Sequence, residues 1–212
     1  MLASVCFWAG SVQAQNDDAR QVAERVDHHY NALRSMKADF TETYSGGGLE
    51  LAESGVLYLK KSGKMRWEYT DPRRKLFISD GKAAYFYVPG ESEARRASLS
   101  KLDDLRSPLR YLLGKTKLER EFESLDLVPG AAGDSNVTLR GKPRSMAGSV
   151  QLVDLEIDQK SEIVRIRIEG SDSAVTEFRF SDLTENPSLD DSLFHFIPPP
   201  GVQIIAGEEL AQ

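Results

Sequence analysis

From residue 38 onward, apolar side chains return at every second position through most of the chain, the spacing that places them on one face of a strand. The runs predict strands near 38–44, 49–60, 64–69, 75–79, 83–88, 93–97, 119–128, 136–141, 149–158, 162–169 and 174–181. Turn-forming residues separate them, among them Gly46-Gly47-Gly48, Ser62-Gly63, Asp71-Pro72, Asp80-Gly81, Pro89-Gly90 and Pro129-Gly130. Two segments keep a helical period instead. Over 16–36, Ala19, Val22, Val26, Tyr30, Leu33 and Met36 recur at three- and four-residue steps, with Asn16 or Asp17 placed to cap the start. In "LDDLRSPLRYLLGK", Leu102, Leu105, Leu109, Leu112 and Leu113 follow the same spacing, Ser107 and Pro108 open a helix and Gly114 stops it. About eleven short strands without long intervening helices describe a mainly β (α+β) chain with a sandwich or barrel-like sheet. No internal repeat or low-complexity linker divides it.

The two halves of this ladder alternate differently. Toward the C-terminus, Val164, Ile166 and Ile168 share one face and Arg165, Arg167 and Glu169 the other; Thr176, Phe178 and Phe180 stand likewise against Glu177 and Arg179. That is a sheet with one wet face. Toward the N-terminus both faces are apolar: Leu57 and Leu59 against Val56 and Tyr58, Leu76 and Ile78 against Phe77, Tyr85 and Tyr87 against Phe86 and Val88. Such strands need cover on both sides, and the two helical segments are the expected source of it.

Charge narrows the partners. A net charge of −6 and a pI near 5.2 exclude a nucleic-acid or anionic-membrane partner held by bulk electrostatics, and the basic clusters Arg73-Arg74-Lys75 and Arg95-Arg96 read as solvated strand ends. The opening "MLASVCFWAGSVQAQ" is apolar and uncharged and closes on Val12-Gln13-Ala14, an A-x-A-like cleavage site. It is too short to span a bilayer and has the character of a secretory signal peptide lacking its positive n-region. Cleavage after about Ala14 would remove 1–14, including Cys6, the only cysteine, and leave 15–212 as a single exported domain with neither disulfide nor thiolate.

Reactive groups are sparse. His28 and His29 are neighbours on one helix and diverge by about 100°, so they do not grip one ion from a single face, and His195 stands alone between Phe194 and Phe196. No H-E-x-x-H is present. Gly90-Glu91-Ser92-Glu93-Ala94 lacks the second glycine of a nucleophile elbow and falls in a strand-to-strand loop. Gly114-Lys115-Thr116 ends a helix where a phosphate loop would open one. Carboxylate pairs are plentiful, but none is singled out. The expectation is a non-enzyme with no catalytic residue, metal or cofactor.

The segment "GVLYLKKSGKMRWEYTDPRRKLFISDGKAAYFYVP" resembles the periplasmic outer-membrane lipoprotein carrier family, the LolA family, through Lys61, Met65 with Trp67, Pro72, Ser79-Asp80-Gly81-Lys82 and Tyr85-Phe86-Tyr87. The ending "FHFIPPPGVQII" is similar to the family's close through Phe194, Phe196, Pro198, Pro199, Gly201 and Val202. The resemblance implies an unclosed, curved antiparallel barrel with a helical lid, whose cavity holds the acyl chains of lipoproteins travelling from the inner to the outer membrane. It also implies an inner-membrane ABC transporter as donor, an outer-membrane acceptor lipoprotein, a periplasmic location and a monomeric carrier. On that template the cargo cavity would be walled by Leu57, Leu59, Met65, Trp67, Phe77, Phe178 and Phe180. The lid would use Val22, Val26, Leu33, Leu109, Leu112 and Leu113, with Lys61 as its latch. Both helical segments serving as permanent core is the alternative. Family members carry an arginine where Lys61 stands and an aromatic where Met65 stands, so a multi-bonded latch would be weaker here. A sensor or carrier of another lipid or glycolipid on the same half-barrel is the alternative function.

Overall fold

The structure is a computed structural model that describes residues 10–61, 63–98, 112, 117–128, 135–144 and 148–207. Helix α1 (Gly10–Ala32) leads into six strands, β1 (Ser35–Gly46), β2 (Leu49–Lys60), β3 (Lys64–Asp71), β4 (Lys75–Asp80), β5 (Ala83–Tyr87) and β6 (Glu93–Ser98). After the one-turn helix α2 (Leu118–Glu121) come β7 (Phe122–Val128), β8 (Val137–Pro143), β9 (Val150–Ile157), β10 (Ile163–Gly170) and β11 (Val175–Glu185). A 3-10 turn (Asp191–Phe194) and a short β12 (Gln203–Ala206) complete the order. All twelve strands form one sheet in the order β12-β6-β5-β4-β3-β2-β1-β11-β10-β9-β8-β7. Every neighbouring pair is antiparallel except β12 with β6. β12 and β7 lie at opposite ends of that order, so the sheet does not close. It curves: Ala97 of β6 and Phe122 of β7 share one apolar core with Phe40 and Trp67 from the middle.

Each of the eleven expected strands is present, most within two or three residues of its expected bounds. The differences are local and physical. The helical spacing runs to Met36, but α1 ends at Ala32 and Met36 belongs to β1. The sheet claims that segment: Ser35 pairs with Lys60, the Arg34 N–H donates to Asn186 Oδ1 at 2.8 Å and the Ser35 hydroxyl to the Pro187 carbonyl at 2.6 Å. The expected strand 119–128 opens instead with α2, because the Asp27 carboxylate takes the Leu118 N–H on both oxygens at 3.1 Å and fixes a helical start. A bulge at Val164 turns Ile163, rather than Val164, into the core. Of the leucine-rich insert only Leu112 is described, and it is buried.

The outer face of the N-terminal half carries the main surprise. Among the described residues its cover is the segment 187–206 rather than α1, and the leucine-rich insert, Leu112 apart, lies outside the described residues. Arg66, Ile78 and Tyr85 stand in one cross-strand row on that face. Arg66 donates to the Leu193 carbonyl at 3.0 Å, and Phe196 stacks on Tyr85 with ring centres 5.4 Å apart. Ile78, lying between them, and Phe194 are wholly buried yet stand outside the concave core. Lys60 and Lys64 grip Asp191, at 2.6 and 2.8 Å, and their hydrogen bonds hold its carboxyl down at about 2. Among the described residues no helix is long and apolar enough to cross a membrane.

Candidate functional site

The concave face is built from alternate residues of neighbouring strands, which register sets in rows. Nearest the C-terminal end of α1 lies the row Met36, Leu59, Met65, Ser79 and Ala84. The next is Ala38, Leu57, Trp67, Phe77 and Phe86. A third runs Phe180, Phe40, Gly55, Tyr69 and Lys75, and a fourth holds Phe178, Glu42 and Glu53. Successive rows are two residues apart, about 7 Å along the strands. The face therefore grades from apolar to charged over a short distance. Gly55 permits it: β2 and β3 approach so closely there that a Cβ would stand 1.9 Å from the Glu68 carbonyl oxygen.

Leu57, Leu59, Trp67, Phe77, Phe178 and Phe180 are all buried in this one core, and Met65 is partly buried against it. The aromatic rings about Phe40 and Trp67 pack edge to face. Phe40 meets Trp67 at 4.8 Å and Tyr69 at 5.0 Å, Trp67 meets Phe178 at 5.7 Å, and Phe178 stacks on Phe180 at 6.5 Å. Phe40 and Tyr69 were not singled out from sequence, although the alternation Ala38, Phe40, Glu42 already put Phe40 on the face that turned inward. Trp67 is only 1% exposed, and its indole N–H has no hydrogen-bond partner among the described residues.

The charged rows are internally matched. The Tyr69 hydroxyl donates to Glu42 at 2.7 Å, and Lys75 pairs with Glu53 while its ammonium lies 4.7 Å above the Tyr69 ring. Beyond them a recess of about 330 Å³ is lined by Glu53, Arg73, Lys75, Phe86, Val88, Glu91, Glu93 and Arg95.

Helix α1 covers the other part of this face. Val22, Val26 and Leu33 are buried in the same core as the concave residues, along with Leu112; Leu109 and Leu113 lie outside the described residues. The helix is anchored by polar contacts at several points. The Tyr30 hydroxyl accepts the Ile163 N–H at 2.9 Å, and burial raises its pKa. Desolvation pushes the Asp27 carboxyl up to about 6, against the Leu118 N–H bond that lowers it. The Lys61 ammonium bonds the Asn31 carbonyl in the last turn of α1, a cation at a helix C-terminus. Between Tyr30, Leu33, Met36, Leu59, Lys61 and Leu112 only about 10 Å³ of free space remains, at the lower limit for one water. The concave face is thus filled here by the chain's own side chains.

The model of a known family, described as outer membrane lipoprotein carrier protein LolA, matches residues 31–197. The chain belongs to the LolA family. An outer-membrane lipoprotein carrier protein of Nitrosomonas europaea is 27% identical over 97% of this chain and 96% of its own length. One from Chromobacterium violaceum is 28% identical over 82% of each. Among solved structures, a LolA superfamily protein of Nitrosomonas europaea covers 84% of this chain and 97% of its own, at 17% identity and a TM-score of 0.48. Membership in a carrier family agrees with a concave face whose first two rows are mainly apolar.

Proposed function

We propose that the protein carries acylated lipoproteins through the periplasm from the inner to the outer membrane, sheltering their acyl chains on the concave face. The observation that carries this reading is the pair of apolar rows through Leu59 and Leu57, which share one buried core with the apolar stripe of α1 and meet Tyr30, Leu33 and Leu112 around Met36 and Leu59. Exposing an acyl chain to water costs about 0.8 kcal/mol per methylene, so a multiply acylated anchor must be covered throughout the crossing. The empty protein meets the same cost by closing on itself. Cargo then exchanges one apolar burial for another, and the small difference lets it be both captured and released. An inner-membrane ABC transporter supplies the energy of loading, and an outer-membrane acceptor lipoprotein takes the cargo off. Lys61, joining the β2–β3 turn to the end of α1, acts as the latch of the closed state.

Native mass spectrometry of the protein purified without harsh detergent tests the reading: a bound triacylated lipoprotein is expected, and a protein that never retains acylated cargo when loaded from inner-membrane vesicles overturns it. Trp67→Glu is a poor probe, since a carboxylate at that fully buried position would damage the empty fold as well. Met65→Glu, on the partly buried neighbour in the same row as Leu59, is expected to reduce capture of cargo while leaving the melting transition nearly in place. Lys61→Leu is expected to impair transfer to outer membranes more than uptake; equal transfer by parent and variant removes the latch role.

A further inference from the structure

The Trp67 indole sits in the second apolar row of the concave face with a donor that no group among the described residues satisfies. Its ring neighbours, Phe40 and Phe178, offer at most a weak acceptor in their π faces. Leaving a buried N–H unpaired is costly, and native proteins rarely do so without a reason. A phenylalanine would supply apolar bulk at this position without that cost. The position is also distinctive. The next concave residue along β3 is Tyr69, whose hydroxyl goes to Glu42, and its row ends at Lys75. Along β3 and β4, Trp67 therefore stands about 7 Å short of the first polar positions, Tyr69 and Lys75, while Phe40, Phe178 and Phe180 keep the β1–β11 side apolar. An amphiphile lying along this gradient, chains inward and head toward the charges, reaches its own boundary at the same depth. In a lipid anchor that boundary is the acyl carbonyl.

The geometry points to Trp67 Nε1–H as the hydrogen-bond donor for an acyl carbonyl of the cargo, so that the carrier recognises acyl linkage as well as chain length. This rests on the carrier reading and adds to it a specific polar subsite. Loading exchanges the unpaired donor of the closed state for a paired one, and the bond is gained only with cargo present. The same chemistry is offered by the esters of a diacylglyceryl group and by the amide of an N-acyl group.

Displacement of a fluorescent acyl probe from the full-length protein distinguishes these sources. The competitors are a cysteinyl peptide bearing an ester-linked dipalmitoylglyceryl group, its dihexadecyl ether twin, and an N-palmitoyl peptide without glycerol. The parent is expected to prefer ester over ether by about fivefold to tenfold, the size of one net hydrogen bond, and Trp67→Phe to bind the two alike. Equal binding of ester and ether by the parent, with a fivefold to tenfold loss for the N-palmitoyl peptide alone in Trp67→Phe, assigns the bond to the amide. Phenylalanine is smaller than tryptophan, so a second variant with benzothienylalanine at position 67 keeps the bicyclic shape and removes only the N–H; it is expected to behave as Trp67→Phe does. An ester preference that survives both replacements, or no donor-dependent difference with any competitor, overturns the subsite and leaves the carrier standing. Failure of every lipid to displace the probe overturns both.

Discussion

Strands β3–β5 and strands β9–β11 wall the same concave core, yet their outer faces follow opposite rules. On β9–β11 the outer face is a lattice of ion pairs open to water: Arg165 reaches Glu156 and Glu177, and Arg167 reaches Glu169. On β3–β5 the outer face is apolar and sealed by the returning chain, with Phe194 buried and Phe196 on Tyr85 and Tyr87. Apolarity on both faces of a strand therefore does not by itself mark a binding wall. One face of β4 looks into the candidate cavity through Phe77; the other, through Ile78, is ordinary core made with a segment more than a hundred residues away. A polar outer face is held by many small, separable contacts, whereas a sealed one depends on a few large side chains.

Four substitutions test that contrast. Phe194→Ala removes a wholly buried ring from the sealed side and is expected to cost about 3–4 kcal/mol in urea denaturation, the largest loss of the series. A loss under about 1 kcal/mol would mean the seal is dispensable. Next comes Arg140→Ala on the wet side. Its guanidinium pairs with Asp154 at 2.7 and 2.8 Å, and Asp154 is 5% exposed, so truncation leaves a buried carboxylate alone and is expected to cost about 2 kcal/mol. Asp27, at the junction of α1 and α2, contributes through pH. Its folded pKa of about 6 lies above the ordinary carboxylate value of 3.8, so its contribution is fully present below pH 3.8 and lost as pH rises through 6. Discounted for its partial exposure to solvent, about 1 kcal/mol is expected between pH 5 and 7, and Asp27→Asn, which keeps an acceptor for Leu118, should flatten that part of the profile in denaturation at the two pH values. Arg179→Ala should change stability by less than about 0.5 kcal/mol, since its pair with Glu177 is mostly solvated.

Much of this architecture was legible because period-two alternation is a direct record of a strand, and here eleven of the twelve strands carry it. The concave-face set was legible for the same reason: once Leu57 faces inward, parity carries Leu59 with it, and the partner register brings Trp67 and Phe77. What sequence did not disclose was set by distant partners. Met36 keeps a helical spacing, yet it pairs with Leu59, and that choice belongs to the sheet. β12 is four residues long, follows three prolines and binds β6 in parallel, so neither its length nor its flanks announce a strand. Asp27 as the acceptor for Leu118 joins residues far apart in the chain through a contact that no local pattern encodes. The unpaired Trp67 donor was equally invisible, because a missing bond is a property of surroundings.

The return of the tail over β3–β5 has a consequence for how the molecule is made. β1 sits between β2 and β11, and among the described residues the outer face of β3–β5 is sealed by the segment from 187 onward. A chain emerging from its N-terminus can pair β1 through β6 early, but it then waits, with Ile78 and Tyr85 bare, until nearly all the remaining residues have arrived. Long waits with exposed apolar strands invite aggregation. A chain that stops before the tail keeps its inner wall in sequence but presents the apolar outer one that the finished protein hides.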